Sequence, residues 1–119
     1  MSEIKYNLAS STWDEQELSA IQRVIDSGNY SMGKEVVSFE HEFAKFTGSK
    51  YCVMVNSGSS ANLIMTAALF YRKENKLQPG DEVIVPAVSW PTTFYPLAQY
   101  GLKLKFVDID KNTLNYDLN

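Results

Sequence analysis

The chain has 119 residues, with 11 Lys and Arg against 14 Asp and Glu, for a formal net charge of −3. Hydrophobic residues make up 45% and aromatics 13%, a globular balance that excludes a disordered tail, which would carry fewer aromatics and more net charge. The slight acidity and the scattered lysines argue against a nucleic-acid partner, because phosphate backbones select clustered Lys and Arg.

In chain order, Thr12-Trp13-Asp14-Glu15 has capping-box spacing and predicts a helix start. Leu18, Ile21 and Ile25 recur at helical spacing, and Gly28 is a natural stop. After a loop at 29–33, a second helix is predicted over about residues 34–47, with Val36, Phe39, Phe43 and Phe46 as its buried stripe and Gly48 as its end. Tyr51-Cys52-Val53-Met54-Val55 suits a strand buried on both faces. A polar turn, Asn56 to Ser60, leads into a helix predicted over about residues 60–74. Gln78-Pro79-Gly80-Asp81 reads as a turn and Glu82 to Pro86 as a second strand. Pro91 opens a short helix running to Tyr100, closed by Gly101, which Pro96 should kink or shorten. Leu104 to Asp108 is the third predicted strand. Strands alternating with helices imply an α/β fold with a parallel sheet and right-handed crossovers.

The single cysteine, Cys52, allows no intrachain disulfide and fits a reducing compartment. Residues 1–11 lack the apolar core of a signal peptide, and no apolar stretch approaches the roughly 20 residues of a membrane helix. These features imply a soluble cytoplasmic protein with no membrane partner.

Two loops could carry chemistry. Ser57-Gly58-Ser59-Ser60 joins a predicted strand to a helix N-terminus, where free amides and a partial positive charge can cradle a phosphate. Gly58 permits close backbone approach, and Ser59 and Ser60 add hydroxyls. A plain helix cap explains the same residues equally well. No Walker or dinucleotide glycine spacing is present. The second loop, Pro86 to Thr93, follows the carboxyl end of a strand, where ligands sit in open α/β sheets. Trp90 there could stack on a flat heteroaromatic ring, or pack beneath its own loop. His41, beside Glu40 and Glu42, reads as a solvated helix residue, and nothing near it has metal-ligand spacing. Asp108 and Asp110 read as strand-end and turn acids.

Together, Ser27-Gly28, Met32-Gly33, Phe39-Glu40, Phe43-Ala44, Thr47-Gly48, Val55 to Asn62, Gly80 to Pro86 and Phe106-Val107-Asp108 resemble the DegT/StrS-type sugar aminotransferase family from about residue 10 onward. Asn56 to Asn62 with Ala87 to Trp90 is most similar to that family's 3-dehydrases of 4-keto-6-deoxy sugars. The resemblance implies a fold-type-I transferase dependent on pyridoxal 5'-phosphate or pyridoxamine 5'-phosphate. The substrate would be a nucleotide-linked keto-sugar and the amino donor a molecule such as glutamate. The reaction would be C3 dehydration or C4 transamination, and the full-length enzyme a homodimer. It places the cofactor phosphate on Gly58 and Ser59 and the pyridine ring against Trp90. It also implies that residues 1–119 are an incomplete N-terminal segment of a single transferase domain, with Asn119 a truncation point. Family members carry their Schiff-base lysine, or the histidine replacing it in 3-dehydrases, further along the chain. None of the nine lysines here falls in a matching segment, so the resemblance implies no catalytic residue in this chain and no activity for it alone. A non-catalytic phosphate- or nucleotide-binding α/β module, or a structural fragment, are the alternative readings.

Overall fold

A computed structural model describes residues 9–117. The expectation at Asn119, and most of the stretch read for a signal peptide, lie outside the described residues. The chain divides into two compact units, Met1–Met54 and Val55–Asn119.

The first unit holds α1 (Glu15–Ser27) and α2 (Lys34–Thr47). The capping box of α1 sits two residues beyond the predicted one. Asp14, not Thr12, is the N-cap: its carboxylate accepts the Gln16 N–H at 2.7 Å, and Glu17 accepts the Asp14 N–H at 2.8 Å. Both positions have the required spacing, and the ionised acceptor is the stronger of the two. Helix α2 has its predicted bounds, ending where Gly48 takes a φ of 70°. Its predicted stripe is not buried. Phe39 and Phe43 stack at 5.5 Å between ring centroids, yet both are exposed, and Phe46 is 86% exposed. Ala44 is the buried residue of this helix. Periodicity shows which side chains share a face, and says nothing of what covers that face.

The strand predicted at 51–55 is also absent: these residues join no ladder among the described residues. Met54 instead donates its N–H to Glu40 Oε1 at 2.8 Å. An apolar run supplies strand-like side chains, but a strand exists only where another strand answers its amides and carbonyls.

The second unit runs α3 (Gly58–Phe70), β1 (Glu82–Pro86), a 3-10 turn (Pro91–Thr93), α4 (Tyr95–Gln99) and β2 (Lys103–Val107). Helix α3 begins two residues before its predicted start and ends four residues early, with Leu77 N–H reaching back to Leu69 O. Strands β1 and β2 are parallel, from Glu82 opposite Lys103 to Pro86 opposite Val107. Val85, Pro96 and Leu102 are the buried apolar residues here, with Thr66 of α3 buried as well. Phe94 meets Phe106 edge-on at 5.5 Å, and Phe70 lies 5.3 Å from Tyr100. Pro91 opens the 3-10 turn, and the helix predicted to Tyr100 is broken at Phe94. Pro96 causes the break, because its ring excludes the carbonyl four residues back and offers no N–H.

Gly101 follows α4 with a φ of 77°, and a Cβ there would lie 3.3 Å from Pro79 Cβ. Gly101→Ala is therefore expected to destabilise the complete protein by about 1–2 kcal/mol, read as a lowered melting temperature. An unchanged melt would mean that this turn relaxes freely.

Ile109 bridges Tyr116 beyond β2, around a turn that Asp110 organises. Its carboxylate accepts the Thr113 N–H at 2.8 Å and the Asn112 N–H at 2.9 Å. These amides, Thr113 first, hold the Asp110 carboxyl below the ordinary carboxylate value. A depressed pKa stabilises the turn above the ordinary value, and that contribution is lost as pH falls through the folded one. The Asn112 and Thr113 amide shifts should titrate together below the ordinary carboxylate range. A midpoint at or above that range would remove the effect. No helix among the described residues is long and apolar enough to cross a membrane.

Candidate functional site

The second unit builds its site at the start of α3. Ser57 is an extended N-cap, with φ −164° and ψ 160°, and its Oγ accepts the Ser60 N–H at 3.2 Å. The Ser60 hydroxyl donates to Asn56 Oδ1 at 2.6 Å, so it is committed within the turn. The Ser57 hydroxyl in turn donates to Ser60 Oγ at 3.1 Å. This leaves the backbone amides of Gly58 and Ser59, and the Ser59 hydroxyl, with no acceptor among the described residues. Space opens in front of Gly58, where a Cβ would meet nothing within 4 Å. Two free amides at the positive end of a 13-residue helix, with a free hydroxyl beside them, suit an anion. Of the two hydroxyls expected to serve, only that of Ser59 is available.

A cleft of about 260 Å³ opens beside this turn. Ser59, Ser60 and Leu63 form one wall, and Thr92, Tyr95, Pro96 and Gln99 the other. Trp90 caps the 3-10 turn at the far wall and accepts the Thr93 N–H at 2.9 Å through its carbonyl. Its loop is braced by Ser89, whose hydroxyl donates to Thr93 Oγ1 at 2.8 Å. The indole does not pack beneath its loop: it is 76% exposed, and it is not one of the cleft's lining residues. Ser59 thus shares the cleft with the turn that follows Trp90, while the indole stands exposed.

Asn62 was not singled out from the sequence. Its amide donates to the Thr92 carbonyl at 3.1 Å and ties α3 to the Trp90 turn. The available signal was an amide side chain among the apolar residues of a helix, a position that Asn rarely favours without a partner.

The first unit has a cleft of about 380 Å³ where α1 ends and α2 begins, including Tyr30, Lys34 and Glu35. No buried polar side-chain atom in either unit lacks a partner among the described residues, so nothing marks that cleft for a ligand. His41 is exposed, 3.6 Å from Glu42, and no group of acids, histidines or cysteines among the described residues could hold a metal. The donor set at Gly58 and Ser59 fits a phosphate ester, and the open indole fits a flat heteroaromatic ring.

The model of the DegT/DnrJ/EryC1/StrS aminotransferase family matches residues 11–119. The GDP-4-keto-6-deoxy-D-mannose 3-dehydratase of Yersinia pseudotuberculosis is 64% identical over 116 residues, covering 98% of this chain and 30% of that protein. The Escherichia coli GDP-4-keto-6-deoxy-D-mannose-3-dehydratase with bound hydrated PLP is 63% identical, with a TM-score of 0.87 over 98% of this chain and 30% of that one. A crystal structure of GDP-4-keto-6-deoxymannose-3-dehydratase with a trapped PLP-glutamate geminal diamine is 64% identical, with a TM-score of 0.86 over 95% of this chain and 29% of that one. The fold described above is therefore shared with part of these aminotransferase-fold proteins. The chain spans about 30% of the length of these relatives.

Proposed function

The chain belongs to the DegT/DnrJ/EryC1/StrS aminotransferase family, and on that premise we propose that it is the N-terminal segment of a single domain dependent on pyridoxal or pyridoxamine phosphate. The reaction is C3 dehydration of a GDP-linked 4-keto-6-deoxy sugar, with glutamate as amino donor, in a cytoplasmic homodimer. The 64% identity to a 3-dehydratase favours dehydration. The description of the family as aminotransferases favours C4 transamination as the second reading.

The cofactor, when bound, supplies the amine that meets the sugar ketone and the ring that takes up electrons. In this chain the amides of Gly58 and Ser59 and the Ser59 hydroxyl hold its phosphate. Trp90 covers one face of the ring and keeps water from it. The proton-transferring base belongs to the remainder of the enzyme. The observation that carries the reading is the pair of unbonded amides at the start of α3, where a Cβ on Gly58 would meet nothing within 4 Å.

The test is the complete protein, purified and scanned for a cofactor absorption band. It is then given GDP-4-keto-6-deoxymannose and glutamate, with products read by mass spectrometry. A 3-deoxy product supports dehydration, and a 4-amino product replaces it with transamination. Absence of a cofactor band with retained phosphate binding would favour a non-catalytic phosphate-binding module.

A further inference from the structure

Pro96 leaves a carbonyl without its helical partner. In an α-helix the N–H of residue 96 would bond the carbonyl of Thr92, four residues back, and proline has no N–H to give. The donor comes instead from Asn62 Nδ2, 30 residues earlier in the chain and 3.1 Å from the Thr92 oxygen. Asn62 lies one helical turn after Gly58 and three residues after Ser59, on their side of α3. Its backbone carbonyl accepts the hydroxyl of the buried Thr66 at 2.9 Å. Thr92 in turn sits two residues after Trp90 in a turn closed by two backbone bonds, Thr93 N–H to Trp90 O and Phe94 N–H to Pro91 O. One side chain therefore joins the anion-binding end of α3 to the turn that carries the indole.

We infer that Asn62 is a positioning residue that sets the Trp90 indole relative to the amides of Gly58 and Ser59, an inference that rests on the cofactor reading proposed above. Asn62 touches neither phosphate nor ring. It fixes the offset between the two places where the cofactor is gripped. A rigid ligand held at both ends binds well only when that offset matches its own length. Inorganic phosphate, which engages the α3 end alone, is indifferent to the offset.

The test compares the complete wild-type protein, Asn62→Leu, and Asn62→Leu combined with Pro96→Ala. Leucine keeps the shape and removes the donor. The alanine at 96 restores a backbone N–H for the Thr92 carbonyl, so the double substitution repairs that unmet bond without rejoining α3 to the turn. In the apo protein, hydrogen exchange in the peptide spanning residues 90–95 is expected to quicken about fivefold to tenfold in Asn62→Leu. Affinity for pyridoxal phosphate and the induced circular dichroism of its band should fall. Affinity for inorganic phosphate should not change. The double substitution should recover thermal stability while pyridoxal phosphate affinity stays low, and it decides the matter should Asn62→Leu alone fail to fold. Equal weakening of both ligands, or full recovery of pyridoxal phosphate affinity in the double substitution, would make the bond merely structural and overturn the inference. Wild-type protein that binds neither probe would overturn the cofactor reading, and the role of Asn62 toward the ring with it. Wild-type protein that binds both, with no change in Asn62→Leu, would overturn the inference alone.

Discussion

Expressed by itself, the 119-residue chain is expected to unfold without a cooperative transition, to associate, and to show no turnover. Among the described residues the buried apolar ones are Ala44, Val85, Pro96 and Leu102, while Phe39, Phe43, Phe46, Tyr51, Val53 and Trp90 are all exposed. The sheet has two strands among the described residues, and an isolated pair is marginal in water. The outer edges of β1 and β2 offer unanswered amides and carbonyls to any neighbouring chain. Exposed aromatics on α2 add a second adhesive surface. The measurements are a circular-dichroism melt, dye binding to exposed apolar surface, and sedimentation across concentration. A sharp, concentration-independent melt of a monomer would defeat the expectation. A cofactor band with turnover would go further and show that a residue of this chain supplies the base.

Trp90→Ala in the complete protein is expected to weaken pyridoxal phosphate binding by about 1–2 kcal/mol, up to about 30-fold, and to shift the cofactor absorbance. The indole already stands free of its own loop, so its removal takes away a stacking face and leaves no cavity in the fold. Trp90→Phe should be milder, since a smaller aromatic face remains. Ser59→Ala should cost about 1 kcal/mol through the loss of one hydroxyl bond to the phosphate, with the amides still in place. The two substitutions act on opposite ends of the ligand and should add within about 0.5 kcal/mol. Titration of apo protein with pyridoxal phosphate reads all three. Unchanged affinity in Trp90→Ala would remove the ring contact, and unchanged affinity in Ser59→Ala would remove the hydroxyl from the phosphate site.

What could be read from the amino acids alone was what neighbours along the chain decide. Helix α2 ends at Gly48, the α3 turn opens at Gly58, and β1 runs from Glu82 to Pro86, because caps, turns and short apolar runs act within about four residues. The parallel pairing of β1 with β2 followed from the helix between them. The helix start at Gly58 and Ser59, on which the proposed anion site rests, was legible for the same local reason, as a small polar turn. Tertiary structure decided whatever depends on a partner far along the chain or on the choice between equivalent neighbours. Asp14 displaces Thr12 as the cap of α1 because an ionised oxygen outcompetes a hydroxyl. Tyr51 to Val55 carry the composition of a strand and form none, since no ladder among the described residues receives them. Of the serines after Asn56, only Ser59 keeps a free hydroxyl, because Ser57 caps the helix and Ser60 turns back on Asn56. The bond from Asn62 to Thr92 spans 30 residues, and no local rule could announce it. Pro96 disclosed a missing donor in the sequence, but only the folding of α3 against the Trp90 turn determined which side chain would replace it.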